Sequence, residues 1–184
     1  WIAAVPSDSA SASSHQPPAT SYQPLDLLTQ LVDKSLVIVE PLGDEHRYRL
    51  LETLRAYGLE QWAPEAMRAT QQRHAAYFLA WAELVAPELL RAQQPLWLTR
   101  LEIEHANLRA ALAYWLDAAA GDQALRLATA LHRFWDYRGY VSEGRAWLQK
   151  ALTNRGPATI EIQAKALNAA GWLAYRQGDL AQAQ

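Results

Sequence analysis

Residues 98–115 read LTRLEIEHANLRAALAYW. In this stretch Leu98, Leu101, His105, Leu108, Leu112 and Trp115 recur at steps of 3, 4, 3, 4 and 3, which puts all six on one face of a helix with 3.6 residues per turn. A face this apolar belongs against other helices, so the stretch predicts core. Working outward, the same periodicity draws helices over about 66–86, 123–137, 142–153 and 160–176. Breaks fall at Pro87, Pro95, Gly121, Gly139, Gly156-Pro157 and Gly178, where Pro and Gly punctuate the pattern. Short connections make successive helices antiparallel neighbours. A run of such pairs with Gly at the corners predicts a stacked α-solenoid rather than a closed bundle.

Upstream the periodicity changes. Leu25, Leu27, Leu28, Leu31 and Val32 have helical spacing after Pro24, which suits a helix start. Leu36 to Glu40 is β-branched and apolar, and Tyr48 to Leu51 follows a Gly43-Asp44 turn signal, predicting a hairpin. Leu51, Leu54, Leu59 and Trp62 then continue as a helix as far as Pro64. Helix, hairpin and helix form a small α+β unit, and two strands with one apolar face are too little to stand alone in water. Ahead of it, residues 6–24 hold six Ser and four Pro with a single carboxylate. Too few apolar side chains are present there to offset the entropy of ordering, which predicts a disordered tether, with His15 solvated. The organisation expected is a linker over 1–24, the α+β unit over 25–64, a connecting helical segment over 65–120 and repeats over 121–184.

Composition narrows the chemistry. The 184 residues carry 17 Lys plus Arg against 19 Asp plus Glu, so the concentrated positive charge on which phosphate binding rests is missing. Eight Trp and eight Tyr, with half the residues hydrophobic, can build a sizeable core. There is no Cys, which excludes disulfides, thiolate chemistry and zinc held by Cys. No apolar run reaches about 18 residues and no basic, then apolar, start is visible, so a soluble, cytoplasmic protein is expected. The chain opens on Trp1, has its one Met at position 67 and closes on Gln184 within a predicted helix, the pattern of a fragment.

AKALNAAGWLAYRQGDLAQA, residues 164–183, resembles the first helix and turn of a tetratricopeptide repeat, with Leu167, Ala170, Gly171, Ala174, Tyr175, Gly178, Asp179 and Ala183 at matching positions. Gly178 suits a left-handed turn, and Asp179 with Gln182 suits a capping box. A looser copy lies 39 residues earlier, about five beyond the usual 34. Leu131, Trp135, Gly139, Leu148 and Ala151 fit it, whereas His132 and Gly144 replace the expected small residue and Ala. LLTQLVDKSLVIVE followed by HRYRLLETLRAYGLEQW resembles the end of the winged helix in bacterial signal-transduction ATPases of the NB-ARC, or STAND, kind, including LuxR-type, AfsR-type and MalT-like regulators. RHAAYFLAWAE and WLTRLEIEHANLRAALAYWL are similar to the segment joining that domain to its tetratricopeptide sensor.

The resemblance, which spans about residues 25 to 184, implies a mainly α fold: a partial winged helix with a β-hairpin, then an antiparallel, tetratricopeptide-like α-solenoid. It also implies an ATPase module before this chain that would hold ATP or ADP; the residues here, by their own motifs, offer no catalytic, cofactor or metal site. Two departures stand out. Leu50-Leu51-Glu52 replaces a Met-His-Asp-like triplet whose His contacts nucleotide in relatives, and Leu51 cannot do so. The Ser/Pro stretch stands where relatives have earlier winged-helix helices.

The sequence offers no GxxxxGK[ST], GxGxxG or HExxH. His46, His74, His105 and His132 are scattered, and Glu104 beside His105 points another way on a helix. Glu102 and Glu104 likewise lie on different sides, as solvated charge. The winged helix's LDLLTQLVDK sets Asp26 and Asp33 against a single Lys34, which disfavours insertion into a DNA groove. Arg47, Arg49, Leu51, Glu52 and Arg55 are candidates for docking the wing onto the ATPase module. Tyr137, Arg138 and Tyr140, around Gly139, are candidates for partner binding by the repeats. Trp81, Trp97, Trp115, Trp135, Trp147 and Trp172 should be mostly interhelix core. The expected role is a non-catalytic sensor segment binding a protein, peptide or small inducer, without direct nucleic-acid or membrane contact. The alternatives are a free-standing protein-binding scaffold and, less favoured, a DNA binder.

Overall fold

A computed structural model describes residues 24–42, 45–153 and 156–178. The expected tether with His15, the Gly43-Asp44 turn and the Asp179–Gln182 cap lie outside the described residues. The chain divides into two compact units between Ala63 and Pro64.

In the first unit, α1 (Pro24–Asp33) leads into β1 (Val37–Leu42), which pairs antiparallel with β2 (Glu45–Leu50) before α2 (Glu52–Gln61). Val39 faces Tyr48 and Glu40 faces Arg47 in the register. The exit from α1 is a Schellman turn: the Leu36 N–H donates to Leu31 O at 2.9 Å and the Ser35 N–H to Val32 O at 2.8 Å, with Ser35 at φ 56°. Burial is sparse. Among the described residues only Leu28 and Val37 are buried apolar side chains of this unit, and α2 buries none.

The second unit is helical throughout its described residues. It comprises α3 (Pro64–Val85), a 3-10 turn (Ala86–Leu90), α4 (Gln94–Ile103), α5 (His105–Asp117), α6 (Gly121–Arg138), α7 (Val141–Thr153) and α8 (Ile160–Arg176). Pro64 and Pro95 begin helices rather than merely ending them, as suits a residue whose missing N–H costs nothing in a first turn. Helix α6 is central: it packs on α3, α4, α5, α7 and α8, and buries Leu127, Ala128, Leu131, Phe134 and Trp135. The C-terminal ends of α6 and α8 meet through Asp136 and Arg176, while the start of α7 meets the end of α8 through Ser142 and Gln177. Helix α7 therefore runs opposite to both, and α8 packs on α6 and α7 together.

The stripe is core, with Leu101, His105, Leu108, Leu112 and Trp115 buried. It does not lie on one helix, however. Glu104 has φ −92° and ψ 6°, well away from the helical ψ near −42°, and separates α4 from α5. A second difference concerns Gly121. The left-handed corner there is Ala119 at φ 52°, closing α5 by a Schellman turn in which Ala120 N–H donates to Trp115 O at 2.9 Å. Gly121 instead opens α6, where a Cβ would lie 2.8 Å from Gly156 O. Gly156 and Pro157 thus lie against the start of α6, where Asp122 N–H donates to Pro157 O at 3.1 Å.

Candidate functional site

Arg49 and Arg55 of the hairpin unit are engaged in local ion pairs. Arg49 and Arg47 share a strand face with Glu40, and the Arg49 guanidinium reaches the diagonal Glu40 carboxylate at 2.9 Å. Arg55 pairs with Glu52 one turn earlier in α2 at 3.0 Å. Leu51 lies at the N-terminus of α2 in extended conformation and is 40% exposed, without a side-chain cap. The docking candidates therefore include two exposed local ion pairs, and Leu51, Tyr57, Leu59 and Trp62 in and around α2 are exposed apolar groups. Exposed pairs like these contribute little to stability.

The three candidates around Gly139 part company. Gly139, at φ 77°, turns the chain between α6 and α7. Tyr137 faces outward. Tyr140 turns inward: its ring lies 4.7 Å from that of His105 and 5.9 Å from that of Phe134, and its hydroxyl donates to Glu102 at 2.5 Å. Arg138 reaches across to the same Glu102 at 3.5 Å and donates to the Thr99 hydroxyl at 3.3 Å.

Sequence reasoning did not find the partner of His105. It is Glu143 on α7, with Nε2 3.3 Å from Oε1 but without hydrogen-bond alignment. Arg109 holds both oxygens of Glu143, Nε to Oε1 at 2.7 Å, and the Trp147 indole donates to Oε1 at 3.2 Å. Burial pushes His105 below its ordinary pKa despite the nearby carboxylate, while the hydrogen bond from Arg109 holds Glu143 low. The result is a neutral imidazole packed edge-on against Phe134 at 5.0 Å. It is a buried interhelix packing contact rather than an open acid or base. No spacing rule links residues 38 positions apart, so only the packing of α5 on α7 could reveal it.

A second unforeseen group joins α6 to α8. Asp136 accepts from the Trp172 indole at 2.8 Å and from Arg176 at 2.6 Å. Trp172 is half exposed, and Tyr175 beside it more so, with ring centroids 6.3 Å apart. A shallow groove of about 420 Å³ opens between α5 and α7, lined by Leu116, Asp117, Trp147 and Lys150. Trp115 and Trp135 are core, whereas Trp81, Trp97 and Trp147 are half-buried against it. Among the described residues, no three of His, Asp and Glu gather as metal ligands, and no helix is long and apolar enough to cross a membrane.

The chain is similar to three proteins named "Putative HTH-type transcriptional regulator", one from Mycobacterium bovis and two from strains of Mycobacterium tuberculosis. Each is 35% identical over 150 residues, covering 79% of this chain and 17% of the relative. The chain thus spans about one sixth of the length of these relatives. No family profile matches it, and no solved structure does.

Proposed function

We propose that this chain is a non-catalytic interaction and sensor segment of a transcriptional regulator, coupling a partner or inducer on its helices to a nucleotide switch outside residues 1–184. The observation that carries this reading is the 35% identity to three HTH-type regulators. The packing adds to it. Helix α6, a left-handed Gly139 corner and α7 form an antiparallel pair, and α8 seats on both, as the first helix of a following tetratricopeptide-like repeat would. Tyr137, Trp172 and Tyr175 then supply exposed aromatic contacts for a protein, peptide or small inducer.

On this reading the segment holds no cofactor, ATP or ADP sits in a module preceding it, and the wing around Arg47, Arg49, Leu51, Glu52 and Arg55 docks there. Direct DNA contact belongs to another part of the regulator, because Arg49 and Arg55 are paired with Glu40 and Glu52 and α1 exposes Asp26 and Asp33. A ligand that binds one state of the switch more tightly shifts its population.

The test is deletion of residues 66–184 from the full-length regulator. Nucleotide hydrolysis should lose its dependence on inducer or partner; unchanged hydrolysis would refute the coupling. The reading frame upstream separates the alternative, since a Walker-type ATPase running into Trp1 supports a sensor segment and a stop codon supports a free-standing scaffold. The DNA reading is favoured only by the name of the relatives. It predicts salt-dependent retention on duplex DNA, and none is expected at physiological salt.

A further inference from the structure

We propose that the bend at Glu104 is a hinge, held closed by the α6–α7 corner, and that α4 and α5 join into one straight helix when that corner lets go of Glu102. This goes beyond the sensor reading and does not depend on it.

The sequence asks for a single helix. Residues 96–117 contain neither Gly nor Pro and are rich in Leu, Ala, Arg and Glu, the residues with the best intrinsic helix propensity. The apolar stripe continues across the break at a helical step, from Leu101 to His105. Sharp helix kinks normally have a cause in the chain, such as Pro, Gly or an inserted group. None is present here. The hydrogen bonds on either side of the break persist: Glu104 N–H donates to Arg100 O at 3.1 Å and Leu108 N–H to Glu104 O at 2.9 Å. Only the one residue at ψ 6° interrupts the helix.

The contacts that oppose this preference are tertiary. Tyr140 touches both flanks of the bend: its hydroxyl donates to Glu102 on the last turn of α4, and its ring lies tilted against His105 at the first position of α5. Arg138 adds a second hold on α4, through Glu102 and Thr99. His105 is fixed in turn by Phe134 and Glu143. Toward α3, the Asn107 amide donates to the Glu104 carboxylate while the Asn107 oxygen lies 3.4 Å from Nε2 of His74. The local preference is overruled by contacts from α3, α6 and α7, and among them Tyr140 and Arg138 of the α6–α7 corner are the side chains that hold Glu102 of α4; an element overruled in this way can have two states. Releasing Glu102 lets the last turn of α4 close onto the first of α5. Tyr137, exposed on the same corner, gives a bound partner direct access to the catch.

The chain has no Cys, so cysteines placed at the exposed positions Leu96 and Asp117 take two spin labels uniquely in the full chain. In a straight helix these Cα atoms stand about 31 Å apart. The unaltered protein should give one shorter distance. Glu102→Ala and Tyr140→Phe should each add a population near 31 Å, while a control pair at Ala106 and Asp117, within α5, stays at about 16 Å. Circular dichroism checks that helix content is retained. Tyr140→Phe removes a single hydroxyl and decides the matter if Glu102→Ala loses helix. Unchanged distances in the folded variants, a starting distance already near 31 Å, or loss of helix in both variants would overturn the hinge.

Discussion

Gly144 shows how one missing methyl group fits the rest of the core. It lies inside α7, where Gly is ordinarily less favourable than Ala by roughly 0.5–1 kcal/mol. A Cβ at this position would sit 2.6 Å from the Trp135 ring and 2.8 Å from a Leu173 methyl group. Gly144 is thus the counterpart of the large Trp135 on α6. Gly144→Ala is expected to lower stability by about 1–3 kcal/mol through overpacking, read from the midpoint of urea unfolding. Gly58→Ala in α2, where nothing lies within 4 Å, is the control and should cause no loss. Ala119 presents the reverse case, an L-residue held at φ 52°. Ala119→Gly should relieve the left-handed strain and raise stability by roughly 0.5–1 kcal/mol; a lower melting temperature would show that the corner is not strained.

Between elements, contacts made by partly or fully buried imidazoles set how the fold responds to acid. Burial holds His74, His105 and His132 below their ordinary 6.5. Below that pH the unfolded chain takes up protons before the folded one does. The His contribution is therefore whole above about pH 6.5 and falls as pH drops toward the folded values. Glu143, held below its ordinary 4.5 by Arg109, contributes fully above 4.5 and loses its share as pH falls through its lowered value. Melting temperature should be flat from pH 8 to about 6.5 and then fall in two stages. His105→Gln should shallow the first stage, and a melting temperature that rises on acidification below 6.5 would contradict the assignment. The helices of this half were largely legible in the sequence: α6, α7 and α8 lie close to their predicted spans, because Gly and Pro punctuation and apolar period act locally. The break at Glu104 and the Ala119 corner were not, since neither residue carries a backbone signal of its own.

Across the whole molecule, the two units differ in how much they bury. The described residues from 64 onward share one extensive core, whereas those of the hairpin unit bury Leu28 and Val37. A peptide of residues 24–63 alone is expected to show no cooperative thermal transition, while residues 64–178 keep a sharp one; a sigmoidal melt of the short peptide would refute this. The sequence by itself determined the helical class, the hairpin between two helices, the Gly139 and Gly178 corners and the apolar stripe, because each follows from spacing and backbone preference within a few residues. Tertiary structure alone decided that His105 meets Glu143, that Asp136 pins Trp172 and Arg176, that Gly156 folds onto Gly121, and that the stripe bends at Glu104. Those contacts join residues about 35 or more positions apart, or impose one element on another, and such pairings depend on which helix faces pack rather than on any local pattern.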